Sequence, residues 1–113
     1  ATRIPLEVDI LRDRNALYRE NIQGEIENVY TLKIVNKSQQ DHTYEISLNG
    51  FEQYRLIGDT RKTVEAGEVG SLPITVAVPP SMLKEQISDF DFVVQSVNDP
   101  DVVLTHETRF IYE

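Results

Sequence analysis

A chain of 113 residues is one domain's worth, long enough to bury roughly two thirds of its unfolded surface in a single core. Apolar residues make up 40%, with no run near the roughly 20 a membrane-spanning helix needs and no leader-peptide pattern at the start, so a soluble fragment is expected whose export, if any, is directed from outside it. The net charge of −8 has the wrong sign for tracking nucleic acid or lying on anionic lipid, and the absence of cysteine excludes disulfides, thiolate nucleophiles and zinc or iron–sulfur ligation through sulfur by these residues.

Leu6, Val8 and Ile10 alternate with Glu7 and Asp9, which predicts a first strand with one wet face and Pro5 at its beginning. Arg12 to Gly24 has no clean period and reads as a long loop, uncommon enough in a small domain to suggest a use. From Asn28 to Gly50, the trios Tyr30, Leu32, Ile34 and Tyr44, Ile46, Leu48 each fall on one strand face, and the polar stretch Asn36 to His42 between them predicts a half-buried hairpin. A short strand over Tyr54 to Ile57 is broken by Gly58 to Lys62. Leu72 to Val78 then alternates, with Pro73 marking an exposed edge. Pro79-Pro80 stops that strand, and Ser81 is placed to cap a single helical turn. Phe90, Phe92 and Val94 form the next strand, and Asn98 to Asp101 is a turn before a last strand, Val102 to Tyr112, in which either face could be core. The sum is an all-β chain, a seven-stranded two-sheet sandwich with Greek-key connections, closed without tryptophan or cysteine.

Little in this pattern carries chemistry. His42 sits in a polar turn and His106 in a strand far along the chain, without metal-ligand spacing to each other, to carboxylates or to Met82, so both read as surface or strand-packed histidines. Asp89 and Asp91 share a strand face but lack a nearby base, nucleophile or glycine-rich cradle, and the glycines 58, 67 and 70 are turn residues rather than a phosphate loop. Asn36-Lys37-Ser38 matches a glycosylation sequon, but the asparagine ends a strand where a turn is needed, and no role is assigned to it. The stretch from Lys84 sets Glu85, Asp89, Asp91, Asp99, Asp101, Glu107 and Glu113 against only Lys84 and Arg109, a solvated acidic face more readily than a docking surface. One concentration stands out in the long loop: Asp13, Arg14, Asn15, Tyr18 and Arg19. It either caps and pairs internally or, through Arg14, Tyr18 and Arg19, touches a partner.

The stretches PLEVDILRDRNALYRE and GEIENVYTLKIVNKSQQDHTYEISLNG resemble the C-terminal immunoglobulin-like domain of the FixG/CcoG cytochrome c oxidase accessory proteins, most specifically from Pro5 to Gly50. The resemblance implies a seven-stranded immunoglobulin-like Greek-key sandwich. It further implies a non-catalytic accessory domain on the periplasmic side of the bacterial inner membrane, the tail of a membrane-anchored parent. That parent would carry ferredoxin-type iron–sulfur clusters, none of them in this fragment, and reduce copper for oxidase assembly. The implied partner is a protein of that assembly, with neither nucleic acid nor a small-molecule substrate bound by the fragment. Alternatives implied alongside are a copper-handling domain using His42 and His106, and a purely structural domain that stabilises the parent.

A seven-strand count also orders the loops. Arg12 to Gly24, Gly50 to Gln53 and Pro79 to Ser88 are expected at the end far from the start of the first strand. Asn36 to His42, Gly58 to Gly67 and Asn98 to Asp101 are expected near it, with Arg61 and Lys62 facing lipid phosphates.

Overall fold

The computed structural model describes residues 4–12 and 18–112. Its strands are β1 (Leu6–Arg12), β2 (Arg19–Glu20), β3 (Ile26–Asn36), β4 (His42–Asn49), β5 (Arg55–Ile57), β6 (Arg61–Val64), β7 (Val69–Val78), β8 (Ile87–Ser96) and β9 (Val103–Ile111), with one 3-10 turn at Pro80–Met82. One antiparallel sheet runs β1-β3-β7-β5 with β2 also on β3, and the other runs β6-β4-β8-β9. This is the all-β, immunoglobulin-like sandwich expected, with nine hydrogen-bonded segments lying on seven strand paths.

Two paths are split, which reconciles the counts. β1 ends with Arg12 opposite Tyr30, and β2 resumes on the same side of β3 with Arg19 opposite Glu27, so the first path is an edge strand interrupted between them. The second path starts as β5 on β7, from Arg55 opposite Ala77 to Ile57 opposite Thr75. It then crosses to the other sheet as β6 on β4, from Arg61 opposite Glu45 to Val64 opposite His42. One stretch of chain therefore closes the same corner of both sheets, as strands that switch sheets do in sandwiches. Gly58, at φ 106°, lies at the crossing, where an L side chain would be strained.

Several sequence expectations are corrected here. β3 and β4 do not form a hairpin: β3 pairs with β1, β2 and β7, whereas β4 pairs with β6 and β8, so the polar connection arches from one sheet to the other. Arg61 and Lys62 do not break a strand but belong to β6 at the middle of an edge, where Arg61 forms an ion pair with Glu45 across the ladder rather than pointing from an end. Ser81 does not cap the short turn. Pro79 occupies that position, and no side chain caps it. The edge expected at Pro73 is present, since that residue lies opposite Thr31 on β3 but beyond the end of β5.

The core forms because each strand's inward residues alternate as predicted. Tyr30, Leu32 and Ile34 from one sheet meet Tyr44, Ile46, Phe90, Phe92 and Val94 from the other, all buried. In β9 the core face is the one carrying Leu104, Phe110 and Tyr112. Tyr30 packs edge-on against Phe90 and Phe92 at centroid distances of 5.7 and 5.3 Å, and Phe51 and Phe110 extend the aromatic cluster.

The sheets are also tied by hydrogen bonds along one open side. Asn28 Nδ2 donates to the Ile111 carbonyl at 3.0 Å, and the Ile111 N–H donates to Asn28 Oδ1 at 2.9 Å. The side chain thus imitates a missing strand neighbour for the edge of β9. The Tyr30 hydroxyl donates to the Arg109 carbonyl at 2.6 Å, and burial pushes its ionisation upward, which keeps the proton in place. Tyr44, by contrast, has the one buried side-chain polar atom without a hydrogen-bond partner among the described residues, its hydroxyl.

Asn28→Ala is expected to cost about 2 kcal/mol, since it orphans both main-chain groups of Ile111. Faster hydrogen exchange confined to the end of β9 is the local readout. Tyr44→Phe removes a buried hydroxyl that gains nothing in return and is expected to raise the melting temperature, by about 1 kcal/mol of stability. Thermal denaturation checks both.

Candidate functional site

The end of the sandwich opposite the start of β1 gathers the 50–54 and 79–86 connections and the β2–β3 turn, as the strand paths require. Of the loop residues singled out by sequence, Asp13, Arg14 and Asn15 lie outside the described residues. Tyr18 is half-buried, joins the margin of the core and meets Tyr112 edge-on at 5.5 Å. Arg19 donates from Nε to Glu27 Oε1 at 2.6 Å, so the internal pairing anticipated for it is present.

That ion pair is part of a wider construction. The registers place Arg19, Glu27, Ala77 and Arg55 in one row across the outer face of the first sheet. Glu27 points outward, yet only 5% of it is exposed, with Arg19 on the adjoining β2 and Arg55 on β5, beyond Ala77 of β7, in the same row. Asn21 locks the turn between β2 and β3. Its Oδ1 accepts the N–H groups of Gln23 and Glu25 at 3.0 and 2.9 Å, and its Nδ2 donates to Glu25 Oε1 and Glu27 Oε2 at 3.1 and 2.9 Å. Arg55 Nη2 reaches over from β5 to Gln23 Oε1 at 2.7 Å and Glu25 Oε1 at 2.6 Å. The Gly24 N–H closes the turn on the Asn21 carbonyl at 3.0 Å, with Gly24 at φ 82° in the left-handed position a three-residue hairpin loop requires.

Sequence reasoning missed Asn21, Glu27 and Arg55 as members of this cluster. A signal existed only for the first pair, since a hairpin centred on Ile22 to Gly24 sets Arg19 across from Glu27, but Arg55 depends on tertiary placement. The electrostatics follow from the geometry. Burial alone would raise the Glu27 carboxyl, but hydrogen bonds from Asn21 and Arg19 and the charges of Arg19 and Arg55 outweigh it and hold the group below its ordinary range. Glu25 is lowered by its hydrogen bonds from Arg55 and Asn21.

The remaining candidates are not brought together. His42, at the start of β4, is buried, stacks on Tyr44 at 5.8 Å and shares a hydrogen bond with Ser96 Oγ at 2.6 Å, beside a polar recess of 360 Å3 lined by Gln40, Asn98 and Asp99 among others. His106 lies opposite Phe92, ~13 Å along β8 from Ser96, and its Nδ1 contacts the Glu107 carbonyl oxygen at 2.9 Å. Met82 packs on the core at the other end. Among the described residues no three His, Cys, Asp or Glu side chains form a metal-binding group. Asp89 faces Arg109 at 4.0 Å on the surface. The sequon asparagine, Asn36, is fully buried, donating to the carbonyls of Gln40 and Val64 at 2.8 and 2.9 Å and accepting the Ser38 N–H at 3.0 Å, so it is a turn lock rather than a glycan acceptor in the folded chain.

Because Glu25 and Glu27 lose their protons at lower pH when folded than when unfolded, they add stability above the ordinary value of 4.5, and that contribution disappears as the pH falls through the lowered values. Glu27→Gln is therefore expected to flatten the acid limb of stability against pH and to cost about 1 kcal/mol at neutral pH. Chemical denaturation between pH 3 and 7 tests this.

Among curated proteins no sequence matches the chain. A family model described as "IG-like fold at C-terminal of FixG, putative oxidoreductase" matches residues 1–113. The crystal structure of a FixG-related protein from Vibrio parahaemolyticus superposes with a TM-score of 0.84 at 34% identity, covering 96% of this chain and 97% of the other. The yeast GGA1 GAE domain shares the fold alone, with a TM-score of 0.53 at 9% identity over 100% of this chain and 95% of the other. An Archaeoglobus fulgidus protein does likewise, at 0.50 and 17% over 96% and 98%. The chain belongs to the family of immunoglobulin-like domains found at the C-terminus of FixG.

Proposed function

We propose that this domain is the non-catalytic, periplasmic accessory module of a membrane-anchored iron–sulfur protein that reduces copper for cytochrome c oxidase assembly, and that it acts by contacting a protein partner. The observation that carries the reading is the pairing of family with residue inventory. The family model belongs to the C-terminal domain of an oxidoreductase, yet this chain contains no cysteine with which to hold a cluster. The residues therefore do not fit an iron–sulfur centre, and electron transfer is assigned to the rest of the parent. What the domain contributes is a rigid sandwich bearing loops at its ends, the arrangement in which recognition is commonly placed.

The contact is assigned to the end holding Tyr18 and Arg19, together with Arg14. There Asn21 Oδ1 fixes main-chain geometry by accepting the N–H groups of Gln23 and Glu25, on the surface where hydrophobic packing does not require it. Deleting the domain from the full-length parent is expected to lower oxidase assembly while the parent accumulates at its normal level. A fall in parent level with unchanged activity per molecule would instead mark a structural plug. Immunoblotting beside oxidase activity separates the two outcomes.

A further inference from the structure

Ile22 occupies the apex of the β2–β3 turn and is 104% exposed, the extreme among the exposed large hydrophobic side chains. Nothing in the turn calls for isoleucine. With the Gly24 N–H bonded to the Asn21 carbonyl, Ile22 takes the second position of a type I turn, which accepts most residues and favours proline. Its side chain adds no buried area to the fold. Yet the main chain beneath it is held by Asn21 Oδ1, which accepts the N–H groups of Gln23 and Glu25, while Asn21 Nδ2 and Arg55 tie down the Glu25, Glu27 and Gln23 side chains around it. The ordering entropy of this apex is thus met within the fold before any partner arrives, and preorganisation of that kind favours tight binding.

The surroundings specify what the apex fits. Arg19 engages Glu27 through Nε, and Arg55 uses Nη2, so both Nη groups of Arg19 and the Nε and Nη1 of Arg55 have no partner among the described residues. The two side chains stay 70% and 48% exposed beside the isoleucine. A membrane is disfavoured as the counterpart, because Ile22 is the one exposed large hydrophobic side chain in the turn from Asn21 to Glu25, whereas insertion into lipid draws on a wider apolar face. We propose that Ile22 is the anchor of a preformed knob that enters an apolar socket on a protein partner, with carboxylates on the socket rim accepting the remaining N–H groups of Arg19 and Arg55. This rests on the partner-contact reading above and names its central residue.

The test places a photo-crosslinking residue in the full-length parent in cells, as Ile22→p-benzoylphenylalanine, with Val69→p-benzoylphenylalanine at the other end of the sandwich as control. A discrete protein adduct from position 22 and none from 69 is expected. The protein so identified, once purified, should bind Ile22→Asp at least about tenfold more weakly than the wild-type chain, retain binding to Ile22→Val, and release as salt rises. Melting of Ile22→Asp should match the wild type, since the side chain buries nothing. A lipid adduct, an adduct to a second copy of the chain, equal labelling from both positions, or unchanged affinity of Ile22→Asp overturns the inference. If domain deletion impairs oxidase assembly but Ile22→Asp does not, the knob fails while the accessory reading stands. If deletion is silent, both fall.

Discussion

The tie between β3 and the free edge of β9 is what the rest of the sandwich depends on. A two-sheet fold without a disulfide must keep its faces in register by packing, and packing is non-directional. Asn28 and Tyr30 add direction: one side chain completes the hydrogen bonding of Ile111, and the other holds the Arg109 carbonyl. Since Tyr30 also packs on Phe90 and Phe92 in the aromatic cluster, the polar tie and the apolar core share a residue and reinforce one another. The same bonds close part of an open strand edge that would otherwise offer its main chain to another molecule.

Alternation in the sequence reported which residues face inward, because Tyr30, Leu32 and Ile34 obey the period of a strand whatever lies beside them. It did not report neighbours. β3 and β4 both turn apolar faces to one core, so a hairpin and an arch between sheets predict the same inward residues. The distinguishing clue is distance: stacked sheets lie ~10 Å apart, and a stretch as long as Asn36 to His42 suits that crossing better than a tight two-residue turn. Arg61 and Lys62 misled for a related reason. Charge is expected of loops, but an edge strand exposes one face, and there Arg61 is matched by Glu45 on its neighbour.

The cluster at the far end was half legible. Arg19 drew notice as one of several charged residues in an aperiodic stretch, and its partner Glu27 lay inside a predicted strand, where an acid reads as solvent-facing. Glu27 does face outward, but the row formed by β2, β3, β7 and β5 brings arginines to it from both flanks. Only the sheet order creates that row. His42, read as surface or strand-packed, is the second: as the first residue of β4 its ring turns inward onto Tyr44 and Ser96. The sequon asparagine was read correctly as a turn residue, because short amides at strand ends satisfy main-chain groups that would otherwise be orphaned.

The chain enters β1 beside Asn36 and the 65–68 turn, whereas the locked β2–β3 turn lies at the opposite end of a body 43 Å long. β3 and β7 stay paired from Ile26 opposite Val78 to Val35 opposite Val69, so one continuous ladder spans the distance between the two ends. Acids on the exposed faces of β1 and β8 keep the flanks hydrated and discourage lateral association, while Arg19 and Arg55 are held against Glu27 and Glu25 around the turn. The locked β2–β3 turn is thus set at the far end of an unbroken ladder from the residues that lead into β1, and its geometry is fixed both by that ladder and by its own side chains.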